Sequence, residues 1–261
     1  MHQIYNSENR TFSLNITITC NGTKSFRVWA EDLGKKNSKY ADRTIIVEGK
    51  RTIYFSFPIT PRQLFFACLN ANDPMDKDFT VIIEETPLKT YNIAMDGETI
   101  DFVQLACQFS QVCGFRLPER TGTEYKTSDD KFRIMYYPII IDKVTSKPMS
   151  TPSRIGHSTG IIEVSAAKFI NYTIPMRVMI LLHEFSHKYK NPKIGLKIEN
   201  EVGADINALY IYLGMGFSKI DAITVFGKVF LKAQTPQNRE RLRKILDYIN
   251  KFENQEFAKI N

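Results

Sequence analysis

Between Thr11 and Cys20 apolar and polar residues alternate, with Phe12, Leu14, Ile16, Ile18 and Cys20 on one side of the pattern. A period of two belongs to a strand with one buried face. Asn21-Gly22 follows, a pair suited to a tight hairpin turn, and Phe26, Val28 and Ala30 then resume the alternation. Further β-rich runs at about 43-48, 51-59, 63-69, 78-85 and 88-94 are separated by Glu48-Gly49-Lys50, Thr60-Pro61 and Asn70-Ala71-Asn72-Asp73-Pro74. About seven strands predict a small β-sandwich-like domain over residues 1-95. Trp29, the only tryptophan, falls on the opposite face of its strand and is expected in the core of a strand buried on both sides.

After Asp96-Gly97 the period changes from two to 3.6. Phe102, Leu105, Ala106, Phe109 and Cys113 predict a helix over 98-113, followed by a polar, mobile loop from Pro118 to Asp130. Strands are expected at 132-141 and 160-165, then helices at 175-190, 198-213, 217-232 and 236-254. Thr235-Pro236 opens the last with a cap residue and a proline in the first turn. Its stripe of Leu242, Leu246, Ile249 and Phe252 predicts that the basic cluster from Arg239 to Lys244 is a solvated face. The fold class is therefore α+β, with an all-β domain over 1-95 and a compact mixed domain over 96-261.

Composition narrows the function classes. The chain has 261 residues and a net charge of +7, with the excess spread as +2 and +5 over the two parts, which does not argue for nucleic acid. No apolar run reaches the ~18 residues that span a bilayer, so no membrane is expected. The start, Met1-His2-Gln3-Ile4-Tyr5-Asn6, lacks the zones of an export signal, so a cytoplasmic location is expected. Cys20, Cys68, Cys107 and Cys113 have no C-x-x-C spacing and are expected as reduced core thiols.

The chemistry concentrates at Leu181-Leu182-His183-Glu184-Phe185-Ser186-His187, where two of the four histidines stand four apart. On a helix such a pair presents two imidazoles to one metal ion, and Glu184 projects close enough to hold a metal-bound water without ligating the metal. Asn191-Pro192 and Gly195 predict a turn into an antiparallel helix that brings Glu201 and Asp205 back on one face. Glu201 falls near the level of His187 and Asp205 near that of His183, while Ala204 and Ala208 allow close approach. Either carboxylate is within reach as a third ligand.

The HEFSH segment matches HExxH, and Glu201-Val202-Gly203-Ala204-Asp205 resembles the E-x-x-A-D pattern of several gluzincins. With Gly160 to Ser165, Arg177 and Leu181 leading in, residues 98-232 resemble a zincin metallopeptidase of gluzincin type, similar to the compact ImmA/IrrE-like peptidases. The resemblance implies Zn2+ held by His183, His187 and Glu201, Glu184 as general base and proton shuttle, and Asp205 orienting a histidine from behind. It implies a peptide or protein substrate, with strand 160-165 as the edge to which an extended peptide adds. Many zincins hold the oxyanion with a further His, Tyr or Arg; His157 in the loop before that strand is the candidate, whereas Tyr210 and Tyr212 are expected to pack the helix. The β domain in front is an expected docking or assembly module. The whole arrangement is also similar to structural proteins of crAss-like tailed bacteriophages, which implies the alternative of a homo-oligomeric or virion assembly protein whose zincin-like domain has little or no activity.

Overall fold

In the computed structural model, residues 1–156, 158–189, 201–231 and 235–253 are described. The chain divides into two compact units, Met1–Lys89 with Gly216–Ser218, and Thr90–Met215 with Lys219–Asn261. The architecture is α+β, strand-rich in the N-terminal region and helical towards the C-terminus. No helix among the described residues is long and apolar enough to cross a membrane.

The first unit is built from β1 (His2–Asn6), β2 (Phe12–Glu31), β3 (Lys39–Phe57), β4 (Gln63–Asn70) and β5 (Phe79–Thr86). All pairings are antiparallel and form a single sheet in the order β1-β4-β2-β3, with β5 on the first half of β2. The predicted run of short strands resolves into fewer, longer ones. Asn21-Gly22 makes no hairpin: Cys20, Asn21 and Gly22 lie opposite Gly49 alone, between the pairs Thr19↔Lys50 and Thr23↔Glu48. Gly22 and Gly49 both have positive φ, so each strand carries its bend at a residue without a Cβ penalty. The bulge adds two residues, an even number, which keeps Phe26, Val28 and Ala30 on the same buried face as Leu14, Ile16 and Ile18.

The sheet doubles over at these bulges. Phe55 pairs across from Leu14 and Phe66 from Ala30, positions about 50 Å apart along a straight strand at ~3.3 Å per residue. Their rings nevertheless meet edge to face with centroids 6.4 Å apart. Two facing layers result from one hydrogen-bonded sheet. Trp29 is not in the core. It lies half-buried on the outer face, beneath the Arg27 guanidinium at 5.2 Å and donating from Nε1 to Glu31. Residues 88–94 form no strand, whereas β1 is a strand the periodicity did not announce.

The second unit contains α1 (Gly97–Val112), β6 (Thr123–Lys126), β7 (Arg133–Tyr137), β8 (Ser153–Ile155), β9 (Ile162–Ser165), the short α2 (Ala166–Phe169), α3 (Ile174–Ser186), α4 (Glu201–Gly214), α5 (Lys219–Val225), a π-helical turn (Phe226–Phe230) and α6 (Pro236–Glu253). Asp96 caps α1 by accepting from Thr99 N–H at 2.8 Å. The segment expected as a mobile loop contributes strand β6, which pairs with β7. Sheet order is β6-β7-β9-β8, so β9 is enclosed by parallel β7 and antiparallel β8. The expectation that residues 160-165 offer a free edge is thus wrong. Non-local pairing places the three-residue β8 at that edge.

All thirteen residues of α3 are buried, as befits a helix apolar on nearly every side. Stacked and edge-on rings of Phe102, Phe132 and Phe185 pack it against α1. Arg177, fully buried, donates to the carbonyls of Phe169, Ser110 and Ile170 and ties the start of α3 to α1 and α2. In α4, Ala204, Ala208 and Tyr212 are fully buried, and Tyr210 Oη accepts from Ala94 N–H. Both tyrosines serve packing. The cysteines are free and buried.

Candidate metal centre

Helix α3 ends within the motif itself. His183 lies in its last turn and His187 is its C-cap, still in right-handed helical geometry with φ −68° and ψ −26°. The i, i+4 relation therefore survives to the helix end, and the two Nε2 atoms stand 3.0 Å apart. Residues 190-200, including Asn191-Pro192 and the expected start of the next helix, lie outside the described residues. Helix α4 opens at Glu201, and Asn207 of α4 donates to Ser186 Oγ of α3 at 2.8 Å, a buried bond that fixes the register of the two helices.

That register brings the Glu201 carboxylate over both rings. Oε2 lies 3.5 Å from His183 Nε2, and Oε1 lies 3.6 Å from His187 Nε2. Tetrahedral donors about 2.0–2.1 Å from a zinc-sized ion are separated by about 3.3 Å, and the separations of 3.0, 3.5 and 3.6 Å fall near that spacing, with one carboxylate oxygen facing each ring. His183, His187 and Glu201 form a cluster able to hold a metal ion. His183 is buried, His187 half-buried, and the Glu201 side chain 57% exposed, which leaves the cluster open on the carboxylate side.

Asp205 sits behind this triangle. It is fully buried, and its Oδ1 lies 2.9 Å from His183 Nδ1, the ring nitrogen turned away from the cluster. The pair is within ion-pair distance, although Nδ1 is not aligned for a hydrogen bond; a small turn of the ring would let the carboxylate fix its tautomer. Arg241 from α6 approaches the same group from the far side. Its Nη2 donates to Asp205 Oδ1 at 2.7 Å and lies 3.0 Å from Glu201 Oε2, and its Nε also donates to Asp205 Oδ2. Arg241 is only 9% exposed, which corrects the reading of the basic cluster as a wholly solvated face. The buried stripe of α6 is Arg241, Ile245, Tyr248, Ile249 and Phe252; Leu246 is 39% exposed. Two carboxylates on α4 draw the guanidinium inward, where an apolar side chain would leave Asp205 without its cation.

Glu184 faces another way. It is 8% exposed and accepts from Ser153 Oγ of β8 at 2.8 Å. Burial raises the Glu184 carboxyl above its usual range, against the opposing pull of His183 and the Ser153 bond. Glu201, by contrast, is held down to about 2, first by its bond to His183 and further by the charges of His183, Arg241 and His187. The two glutamates thus differ in basicity through environment alone.

No protein-family model, no curated protein and no solved structure matches the chain. The case for the centre rests on its geometry.

Of the residues singled out from the sequence, His183, His187, Glu201 and Asp205 come together, with Glu184 alongside on α3. His157 lies outside the described residues. Sequence reasoning missed Ser153 and Arg241. The first carries no motif. The second had one signal, an arginine on the shoulder of the apolar stripe of α6, which charge patterning alone assigns to solvent.

Proposed function

We propose that the chain is a zinc metallopeptidase of gluzincin type, hydrolysing peptide bonds in a protein or peptide substrate. The observation that carries this reading is the triangle of His183, His187 and Glu201 with a fourth acid, Glu184, beside it but outside it. Histidine nitrogens and one carboxylate are the donor set of catalytic zinc, and three protein donors leave one position open. A zinc ion held there supplies a Lewis acid for the scissile carbonyl and lowers the pKa of water.

The chain's own residues supply the rest. Glu184, raised by burial, takes the proton of the attacking water and returns it to the leaving amine. Ser153 Oγ holds that carboxylate by a buried hydrogen bond. Asp205, 2.9 Å from Nδ1, would favour the His183 proton there with an ion bound, so that Nε2 faces the cluster with its lone pair. With β9 enclosed, β8 is the edge along which an extended peptide would lie, in direct contact with the general base through Ser153.

A second reading draws on the same glutamate. Glu184 is nearly closed off from solvent, which favours a metal-holding domain of little or no activity within an assembly or virion structural protein. Zinc content and cleavage of a denatured protein mixture, compared for wild type and Glu184→Gln, separate the two. Zinc in both with cleavage by the wild type alone supports the peptidase. Zinc in both with cleavage by neither refutes it in favour of the structural reading.

A further inference from the structure

We propose that Arg241 is a positioning residue of the metal centre, through which docking of the C-terminal helix sets the affinity for the ion. The proposal rests on the metal-site reading above and adds a residue that the motif does not contain. Three observations carry it.

The first is reach. Arg241 touches both carboxylates of α4 from the side away from α3, forking onto Asp205 and meeting Glu201 at 3.0 Å. A planar guanidinium holds such a pair in fixed geometry, which a flexible ammonium does not. Through Asp205 it acts on the His183 ring, and through Glu201 on the third donor, so one side chain fixes the direction of two of the three ligands.

The second is charge. Glu184, Glu201 and Asp205 bring three negative charges to two neutral imidazoles, and Arg241 offsets one of them. A divalent ion in the triangle then makes the group neutral with Arg241 in place. Without Arg241 the loaded centre keeps a net negative charge around the fully buried Asp205. The guanidinium therefore belongs to the loaded centre and is not a stand-in that the ion must expel.

The third is the wall that α6 shares with the π-helical turn. Phe230 lies tilted over His183 with ring centroids 4.1 Å apart, and Arg241 sits 5.8 Å above the same phenyl ring. Farther along, Phe252 packs against Tyr91 and Tyr210 and seats α6. A π turn inserts an extra residue per turn, which re-aims side chains and is common at functional sites. Here Phe230 of the turn covers the His183 ring and Arg241 of α6 lies over that phenyl.

Coupling of this kind is reciprocal: if docked Arg241 tightens the ion, the ion tightens the docking of α6 by the same factor. The test measures zinc affinity by chelator competition for the full chain, for Arg241→Gln and for Arg241→Lys, with the visible spectrum of the cobalt(II) forms as a report on ligand geometry. Arg241→Gln is expected to bind zinc about 10–100-fold more weakly, the usual cost of removing an outer partner of a ligand. Arg241→Lys is expected to recover part of that loss, and the cobalt spectrum to shift in both variants. In the wild type, zinc is expected to slow amide exchange over residues 238-246 by about the same 10–100-fold. This measurement needs no variant and stands if Arg241→Gln fails to fold. A folded Arg241→Gln with wild-type or tighter zinc binding, or exchange in α6 indifferent to zinc, overturns the proposal while leaving the metal site intact. A wild type that binds no zinc overturns both.

Discussion

The Nε2 atoms of His183 and His187 stand 3.0 Å apart. Two imidazole lone pairs do not face each other at that distance unless a proton or a cation lies between them. The Glu201 carboxylate faces both rings and the buried Asp205 lies behind one of them, so the group could hold a metal ion. Three expectations follow from this arrangement, beginning with the choice between the two acids.

Glu201 faces the Nε2 side of the rings and Asp205 the Nδ1 side of His183, so their amide variants should differ in kind. Glu201→Gln removes a charged donor and should weaken zinc binding beyond the ~10–100-fold typical of an outer-sphere change, whereas Asp205→Asn should fall within it. Chelator competition at fixed pH ranks them. The reverse order would make Asp205 the third ligand.

Ser153 Oγ donates to Glu184 from the edge strand. Ser153→Ala leaves the buried carboxylate one donor short, and a hydrogen bond to a charged group is worth about 1.5–3 kcal/mol. Under the peptidase reading, kcat should fall by about 10–100-fold for a loss of that size. Zinc content should remain at the wild-type value, because Ser153 touches no ligand. Loss of zinc from Ser153→Ala would show that the edge strand supports the ion and not the base.

Ala204 is fully buried in α4, the helix packed on α3. Ala204→Leu overfills that contact and should cost about 1–3 kcal/mol in urea unfolding, with weaker zinc binding as the helices part. Unchanged stability would mean that the two helices do not need the small residue.

Burial pushes the thiols of Cys68 and Cys113 up to about 11 and that of Cys107 up to about 12. The thiolate is the reactive form, so at pH 8 these three should resist iodoacetamide in the folded protein and react after denaturation. The sign for stability follows from the same shift. Folded thiols keep their protons to higher pH than unfolded ones near 8.5, so this contribution is present at neutral pH and declines as pH rises from there. Rapid labelling at pH 8 without unfolding would contradict the burial.

The centre was legible where its logic is local. His183, Glu184 and His187 lie on one helix, and Glu201 and Asp205 one turn apart on the next, so helical spacing alone aligns them. Arg241 was not legible, because its burial is decided by carboxylates 36 and 40 residues away that no window on α6 contains. Ser153 likewise meets its partner across 31 residues of chain. In the N-terminal unit the alternation announced the buried faces of β2 correctly. Asn21-Gly22 misled because a glycine with positive φ serves a hairpin turn and a bulge equally well, and only the partner strand, bending at Gly49, distinguishes them. The order of β8 and β9 is a non-local outcome of the same kind.

The most direct test of the central claim is the metal content of the purified full chain, measured by mass spectrometry after dialysis, beside that of His183→Ala. About one zinc per chain is expected in the wild type and none retained by the variant, since His183 contributes one of the three donors. A wild type without stoichiometric metal, or a His183→Ala variant that keeps it in full, would contradict the assignment of the centre.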